Sequence, residues 1–222
     1  MPPFVRVVPA IRTPIGIDGF DFSVPDQLAI NIGDLVLVPF RHRPTPALVT
    51  ETLSQTAFAD RIKPISRTYA DIRFPQSTVT LLKAVAARTF TSQPTVLKSW
   101  LRSPPKRPTP NVKRAWFRVP GSAPHAPLSH WSPNPENDLI QNAEQHLQKN
   151  ERVLILVPWL TRAKRIHAAI PNARLYTNDL NDGDAFRSWS SFLSGETRCL
   201  VATRLGAWIG SFADIILLDE PE

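Results

Sequence analysis

The sequence predicts an α+β protein of two domains, a small antiparallel β-domain followed by a partial α/β domain with a parallel sheet. Short apolar segments separated by Gly and Pro fill the first 75 residues, and apolar strands alternate with helical segments from residue 136 onward. A basic, proline-rich stretch separates the two patterns. We therefore predict a β-rich domain over residues 1–75, a helical segment and linker over 76–135, and the α/β domain over 136–222.

Four short strands are predicted in the β-domain, over residues 5–8, 20–24, 34–40 and 47–50. Pro25 ends the second strand, because proline cannot donate a backbone hydrogen bond to a neighbouring strand. Gly33 precedes the third strand and is typical of a turn. Close strand spacing of this kind favours a small barrel or sandwich.

The central region begins with helical periodicity. Leu81, Leu82, Val85 and Ala86 fall on one face of residues 76–90, which predicts a helix capped by Ser77 or Thr78. A shorter helix is predicted over residues 95–102. Residues 103–135 are rich in proline and basic side chains, which is typical of an extended linker.

The net charge of +7 is concentrated in this central region. Residues 72–135 carry ten Lys or Arg and no acid, whereas residues 1–71 are neutral and residues 136–222 carry nine basic and twelve acidic side chains. Such a block attracts polyanions, of which nucleic acids are the commonest; the alternative is a linker kept soluble by its charge. Basic residues interleaved with Trp100, Trp116 and Phe117 suit single strands, and the candidate contacts are Lys106, Arg107, Lys113 and Arg114.

The α/β domain is predicted from regular alternation. Helices are predicted over residues 136–148, 160–170 and 182–194, and strands over 152–157, 174–176, 199–202 and 215–218. Asn181 or Asp182 is the expected cap of the last helix. The continuous apolar run at residues 153–157 is typical of a strand that is buried on both faces of a parallel sheet.

Two acidic residues follow the last predicted strand directly. Asp219 and Glu220 match a Walker B pattern, in which an Asp holds Mg²⁺ and a Glu orients the attacking water. The alternative is an acidic helix cap. An ATPase also needs a phosphate-binding loop, and the chain contains no Gly-Lys dipeptide. The sequence therefore predicts no ATP hydrolysis and no bound cofactor.

Several further classes of site are excluded by composition. Cys199 is the single cysteine, so an internal disulfide and a cysteine-rich zinc site are excluded. The five histidines lack the spacing of a metal site, and we expect none. No apolar run approaches the roughly 20 residues that span a bilayer, so no membrane partner is expected.

The C-terminal half carries a series of motifs in a particular order. Leu180-Asn181-Asp182 is followed by Trp189, Gly195, Ala202-Thr203-Arg204, Phe212 and Asp219-Glu220. This order resembles the primosomal protein N′ family of replication-restart helicases, which has Leu-Asn-Asp, Trp, Gly, Gly-Thr-Arg, Pro-Phe and Asp-Glu-Glu-His. The resemblance implies that residues 136–222 form a partial RecA-like domain in which Asp219 and Glu220 are a vestigial Walker B pair.

The N-terminal half resembles the same family independently. Residues 20–25 and 33–40 resemble its Phe-Asp-Tyr…Pro…Gly-x-x-Val-x-Val-Pro-Phe signature, which belongs to the domain that holds the 3′ end of a nascent strand. The resemblance implies that Phe20 and Asp21 line a pocket for the 3′-terminal nucleotide, where a ring stacks on a base and an Asp accepts a sugar hydroxyl. The alternative for Phe20 is a plain core aromatic.

The basic residues expected at this pocket are Arg41 and Lys63, and Arg43 is a further expected DNA contact. Lys63 occupies the position of a pocket lysine of the family, although it also fits an ordinary surface charge. Arg41 replaces a family glycine, which predicts a narrower or more basic pocket.

The resemblance as a whole implies a degenerate or truncated family member. The phosphate-binding loop, the second motor lobe, its arginine finger and the zinc-binding cysteines are not found. We therefore expect a DNA-binding protein of the replication-restart primosome, in the bacterial cytoplasm at the nucleoid, without its own ATP hydrolysis. The expected partners are forked or 3′-ended DNA at a single-strand/duplex junction and other primosome proteins. The alternatives are a pseudo-helicase scaffold for replication proteins and a fragment of an ATP-dependent helicase.

Overall fold

A computed structural model describes residues 3–41, 43–101 and 133–219 of the chain. The chain divides into two compact units, Met1–Lys113 and Arg114–Glu222, each of which contains its own sheet. Within the described residues, no helix combines the length and the apolar character needed to cross a membrane.

The first unit is built on a five-stranded sheet in the order β2-β1-β4-β3-β5, and all of its neighbouring strands are antiparallel. The prediction of an antiparallel β-domain is confirmed, with one strand more than the four expected. The strands are β1 (Phe4–Pro9), β2 (Phe20–Ser23), β3 (Asp34–Phe40), β4 (Arg43–Leu53) and β5 (Arg67–Arg73).

The core of this unit is formed by apolar side chains that alternate along the strands. Since successive side chains of a strand point to opposite faces, Val5 and Val7 of β1 lie on the same face as Val36 and Val38 of β3. Ile65, which precedes β5, is 2% exposed and joins the same cluster. The segment before β5 is thereby anchored to the sheet.

Two helices complete the first unit. They are α1 (Gln76–Arg88) and α2 (Gln93–Leu101), which pack against each other, and α2 also packs on β1. The hydroxyl of Thr13, in the β1–β2 loop, donates a hydrogen bond to Ser92 at 2.8 Å. Both helices belong to the same compact unit as the first sheet, which α2 contacts directly through β1.

The predicted cap of α1 is wrong. Pro75 occupies the N-cap position, and no side chain caps the helix there. Ser77 and Thr78 lie inside the first turn instead. Proline has a fixed φ that is compatible with helix starts, so the helix begins earlier than the hydroxyl side chains indicated.

The second unit contains a four-stranded sheet in the order β7-β8-β6-β9, and all of its pairs are parallel. The predicted parallel sheet with alternating helices is therefore confirmed. Its elements are α3 (Pro135–Gln148), β6 (Val153–Leu156), α4 (Leu160–Ala169), β7 (Arg174–Tyr176), α5 (Asp182–Leu193), β8 (Cys199–Ala202), a 3₁₀ segment (Arg204–Phe212) and β9 (Ile215–Leu218).

Helices cover both faces of this sheet. The chain passes from β6 to β7 through α4 and returns to β8 through α5, and right-handed crossovers in opposite directions place these helices on opposite faces. Asn181 caps α5, because its side chain accepts a hydrogen bond from the backbone N–H of Asp184 at 2.9 Å. The parallel arrangement brings the carboxyl ends of all four strands to one edge, where Asp219 follows β9.

Candidate nucleic-acid interface

A cavity of about 760 Å³ lies in the first unit, where β2, the end of β3 and residues 58–63 meet. Ligand pockets in proteins are typically about 300–1,000 Å³, so this one can hold a nucleotide. The four predicted pocket residues, Phe20, Asp21, Arg41 and Lys63, line it. Sequence reasoning missed the other lining side chains that carry charge or an aromatic ring, which are Arg6, Asp18, Phe22, Phe40, Phe58 and Arg61.

Lys63 reaches the cavity through backbone pairing. The N–H of Ser23, at the end of β2, donates to the carbonyl of Lys63 at 3.1 Å, and the N–H of Ile65 donates to the carbonyl of Ser23 at 3.0 Å. Residues 63–65 therefore run alongside β2. This pairing places Lys63 on the same cavity as Phe20, which is distant from it in sequence.

Aromatic rings form one wall of the cavity. Phe20 and Phe40 meet edge to face, with their centroids 4.9 Å apart and an interplanar angle of 71°. Both rings are half-buried, and Phe20 also packs against the Val5–Val7 core cluster, so it is both a core aromatic and a pocket residue. Phe58 is 65% exposed at the rim. Exposed ring faces of this kind are the surfaces on which bases stack.

The carboxylate of Asp21 is engaged within the protein. Its Oδ1 accepts a hydrogen bond from Nε of Arg6 at 2.9 Å, and its Oδ2 accepts one from the hydroxyl of Thr56 at 2.7 Å. The side chain of Asp21 is 6% exposed. Asp21 therefore shapes the cavity wall and presents little carboxylate surface to a ligand.

Strand register explains this arrangement of charges. Arg6 on β1 stands opposite Asp21 on β2 and opposite Glu51 on β4, so its guanidinium pairs with both carboxylates. The hydrogen bond to Asp21 raises the pKa of Arg6 above its usual value, against the opposing effect of desolvation. Arg6 thus carries its charge at all physiological pH values, and it is neutralised within the sheet.

Three other basic residues stand free at the cavity. Arg41, Arg61 and Lys63 are exposed, and among the described residues none of them has an ion-pair partner. Arg41 has a left-handed backbone with φ of 45°, and its guanidinium carbon lies 5.8 Å from the ring centroid of Phe40. Such cations fit contacts with phosphate.

Arg43 is the remaining predicted DNA contact that belongs to the described residues. Arg43 is exposed at the start of β4 and does not line the cavity. Lys106, Arg107, Lys113 and Arg114 lie outside the described residues, as does Glu220.

Asp219 lies at the carboxyl edge of the second sheet, as predicted, but it faces an arginine. Its Oδ2 is 2.9 Å from Nη1 of Arg162 on α4, and its side chain is 8% exposed. A neighbouring arginine of α4, Arg165, forms an ion pair at 2.7 Å with Glu136 on α3. Within residues 3–41, 43–101 and 133–219 no cluster of three or more metal-ligating side chains occurs.

A second cavity, of about 640 Å³, lies at the amino edge of the parallel sheet. Its lining includes Arg174, Arg198, Glu196 and the buried Cys199. Burial raises the pKa of the Cys199 thiol to about 12, because the low-dielectric surroundings disfavour the thiolate.

This shift predicts that the folded protein protects its thiol. At pH 8 we expect Cys199 to react with an aromatic disulfide reagent at least about 100-fold more slowly in the folded protein than in urea, where a thiol has its ordinary pKa near 8.5. The release of the coloured thiolate by folded and unfolded protein measures both rates. Equal rates would contradict the burial of this side chain.

A comparison of the chain with models of known protein families found a match within the first unit. Residues 10–102 match the family model of the PriA 3′DNA-binding domain (3′BD). The match extends from β2 through α2 and includes all cavity residues named above except Arg6. A comparison with curated proteins found no significant match. The resemblance of the first unit to the replication-restart family is thus supported, and the match does not extend to the second unit.

Proposed function

We propose that the first unit binds the 3′-terminal nucleotide of a DNA strand at a forked or tailed junction, as part of replication restart. One observation carries this proposal. Within the region that matches a 3′DNA-binding domain, a single cavity joins aromatic rings with three basic side chains that have no carboxylate partner among the described residues.

The chemistry of the cavity suits a strand end. A terminal base has one unstacked face, and it can stack on an exposed ring such as Phe58. Arg41, Arg61 and Lys63 can contact the phosphates next to that base. An uninterrupted duplex offers no unstacked base, so the cavity favours ends over continuous DNA.

The experiment compares two DNAs with the same nucleotides, so that the single-stranded overhang of the first forms the loop of the second. One is a duplex with a free recessed 3′ end, and the other is the same duplex with that end closed by a hairpin loop. We expect the full chain to bind the free end about tenfold more tightly, which corresponds to stacking of one base. Fluorescence anisotropy at several salt concentrations gives both affinities.

The two DNAs separate end recognition from general attraction. The basic residues of the central region contact phosphates on both DNAs. Their contribution to the affinity therefore decreases with salt concentration equally for the free and the closed end. Equal affinity for the free and the closed end at every salt concentration would show that the cavity does not recognise a strand end.

We also propose that the chain binds DNA without hydrolysing ATP. The sequence has no Gly-Lys dipeptide, and the carboxylate of Asp219 is held by Arg162 rather than being free for a metal. The test is an ATPase assay of the full chain with Mg²⁺ and forked DNA, with Arg162→Ala as a second protein. The rate of ATP hydrolysis with either protein is expected to equal the rate in buffer alone. Mg²⁺-dependent hydrolysis by the natural sequence would contradict this proposal.

The second unit, in this proposal, is a partial RecA-like domain. Its support is the parallel sheet covered by helices on both faces, with an Asp at the carboxyl end of β9. The contacts with other primosome proteins and the location at the nucleoid stay predictions.

A further inference from the structure

Three hydroxyl side chains join the β1–β2 loop to the start of α2. The Thr13 hydroxyl donates to Oγ of Ser92 at 2.8 Å, and the Ser92 hydroxyl donates to Oγ1 of Thr95 at 2.8 Å. The Thr95 hydroxyl donates to the carbonyl of Thr13 at 3.3 Å, and the N–H of Thr13 donates to Oγ1 of Thr95 at 3.2 Å. These bonds form a closed ring, which we name the Thr13–Ser92–Thr95 hydroxyl cluster.

The position of Ser92 explains why its hydroxyl bonds to the loop. Ser92 directly precedes α2, and it is 1% exposed. A serine at such a position usually accepts a hydrogen bond from the backbone N–H of the second or third helical residue. The second residue of α2 is Pro94, which has no N–H. The buried hydroxyl of Ser92 has its partners in Thr13 and Thr95 instead.

The helix on the other side of this cluster is firmly packed in the first unit. α2 packs against α1 and against β1. Its buried side chains are Pro94, Val96, Leu97, Trp100 and Leu101. Because an element with many buried apolar contacts opens only at a high free-energy cost, the hydroxyl cluster ties Thr13 to a fixed part of the fold.

The other end of the same loop forms part of the wall of the candidate DNA-binding cavity. Ile17, Asp18 and Gly19 line this cavity, and the Thr13 hydroxyl lies 3.4 Å from the carbonyl oxygen of Ile17. Residues 14–18 are exposed, so burial contributes little to holding them in place. The hydrogen bonds of Thr13 thus connect this part of the wall to α2.

We propose that Thr13, Ser92 and Thr95 are positioning residues for strand-end binding, a proposal that rests on the proposed function. None of the three lines the cavity. They hold the loop so that residues 17–19 stand where the 3′-terminal nucleotide is received. If the loop occupies this position in only a fraction of the molecules, the apparent dissociation constant rises in inverse proportion to that fraction.

The test measures how removal of the hydroxyls changes the preference for a free strand end. A double Thr13→Val/Ser92→Ala variant of the full chain is titrated by fluorescence anisotropy with the recessed duplex and with the hairpin-closed duplex. We expect its affinity for the free end to fall about threefold to tenfold, since the net contribution of one hydrogen bond corresponds to about this factor. Its affinity for the closed duplex is expected to stay unchanged.

The ratio of the two affinities distinguishes positioning from a merely structural role. A loss of folded protein lowers the binding of both DNAs alike, and it leaves the ratio as it is. Circular dichroism checks the fold of each variant. Thr13→Val alone is the milder change, because Val has nearly the shape of Thr and Thr13 is only half-buried. This single variant is expected to lose part of the preference, and it answers the question if the double variant does not fold.

Two control variants assign the effect to the hydroxyl cluster. Thr13→Ser keeps the hydroxyl, and it is expected to keep the preference of the natural sequence within about twofold, as ordinary conservative changes do. Thr89→Val removes a hydroxyl at the end of α1 that bonds to the carbonyl of Val85 at 2.8 Å and not to the loop. Its preference for the free end is expected to equal that of the natural sequence.

The outcomes separate this proposal from the proposed function. If the natural sequence prefers the free end and the folded Thr13→Val/Ser92→Ala variant keeps that preference, the positioning role is overturned and the proposed function stands. An equal loss of preference in Thr89→Val or in Thr13→Ser also overturns the positioning role. If the natural sequence binds both DNAs equally, the proposed function fails, and the positioning role fails with it.

Discussion

A Gly33→Ala substitution is expected to lower the free energy of unfolding of the first unit by about 3 kcal/mol or more, and to abolish binding to 3′-ended DNA. Gly33 has a φ of +89° and lies buried before β3. Its N–H donates to the carbonyl of Val49 at 2.8 Å, and its carbonyl accepts from the N–H of Phe74 at 2.7 Å.

The cost comes from a collision with the backbone. A Cβ at position 33 lies 2.0 Å from the carbonyl oxygen of Phe74, so the backbone near β5 has to move. Because β3 also provides Phe40 to the cavity, this displacement reaches the proposed binding site.

Gly16 offers a matched control for this experiment. It has nearly the same φ, +88°, but a Cβ there meets nothing within 4 Å. Gly16→Ala is therefore expected to cost only the left-handed backbone strain, about 1 kcal/mol. Urea denaturation followed by circular dichroism compares the two variants; equal losses of stability would show that the collision is relieved at no cost.

A Phe58→Ala substitution is expected to weaken binding to a free 3′ end by about tenfold, with no change in fold. Stacking of one base on an aromatic side chain is worth about 1–3 kcal/mol, and about 1.4 kcal/mol corresponds to tenfold. Phe58 is 65% exposed, so its removal leaves no cavity in the core. Anisotropy titration with the recessed duplex gives the affinity, and circular dichroism checks the fold.

Phe90 provides the matched control. It is 81% exposed in the same unit and does not line the cavity, so Phe90→Ala removes a similar area of exposed ring. We expect Phe90→Ala to leave the affinity within about twofold, inside the range of ordinary surface substitutions. Equal losses in both variants would indicate that general apolar contact, rather than stacking in the cavity, supports binding.

Sequence patterns predicted most of the secondary structure because those patterns are local. The apolar alternation of β1 and β3 and the helical periodicity of α3 to α5 depend only on residues within about seven positions of each other along the chain. Strand β5 was missed, because Arg67–Arg73 has charged ends and a weak apolar pattern. It forms by pairing with β3, which is a contact between segments distant in sequence.

The candidate site was only partly accessible from the sequence. Phe20 and Asp21 are adjacent and belong to a recognisable motif, so the resemblance placed them at a pocket together with Arg41 and Lys63. No local signal connects Phe58 with this pocket. Arg61 stands two residues before Lys63, and that proximity is a signal that would have identified it.

Two carboxylates show what only the tertiary structure decided. The sequence by itself determined that Asp21 lies within a strand and that Asp219 directly follows one, since both follow from local apolar patterns. Their partners, Arg6 and Arg162, were decided by strand register and by the packing of α4 against the sheet. A carboxylate is accessible to a ligand only if the fold places no cationic side chain within ion-pair distance of it. The residues next to the carboxylate along the chain do not determine which cation that is.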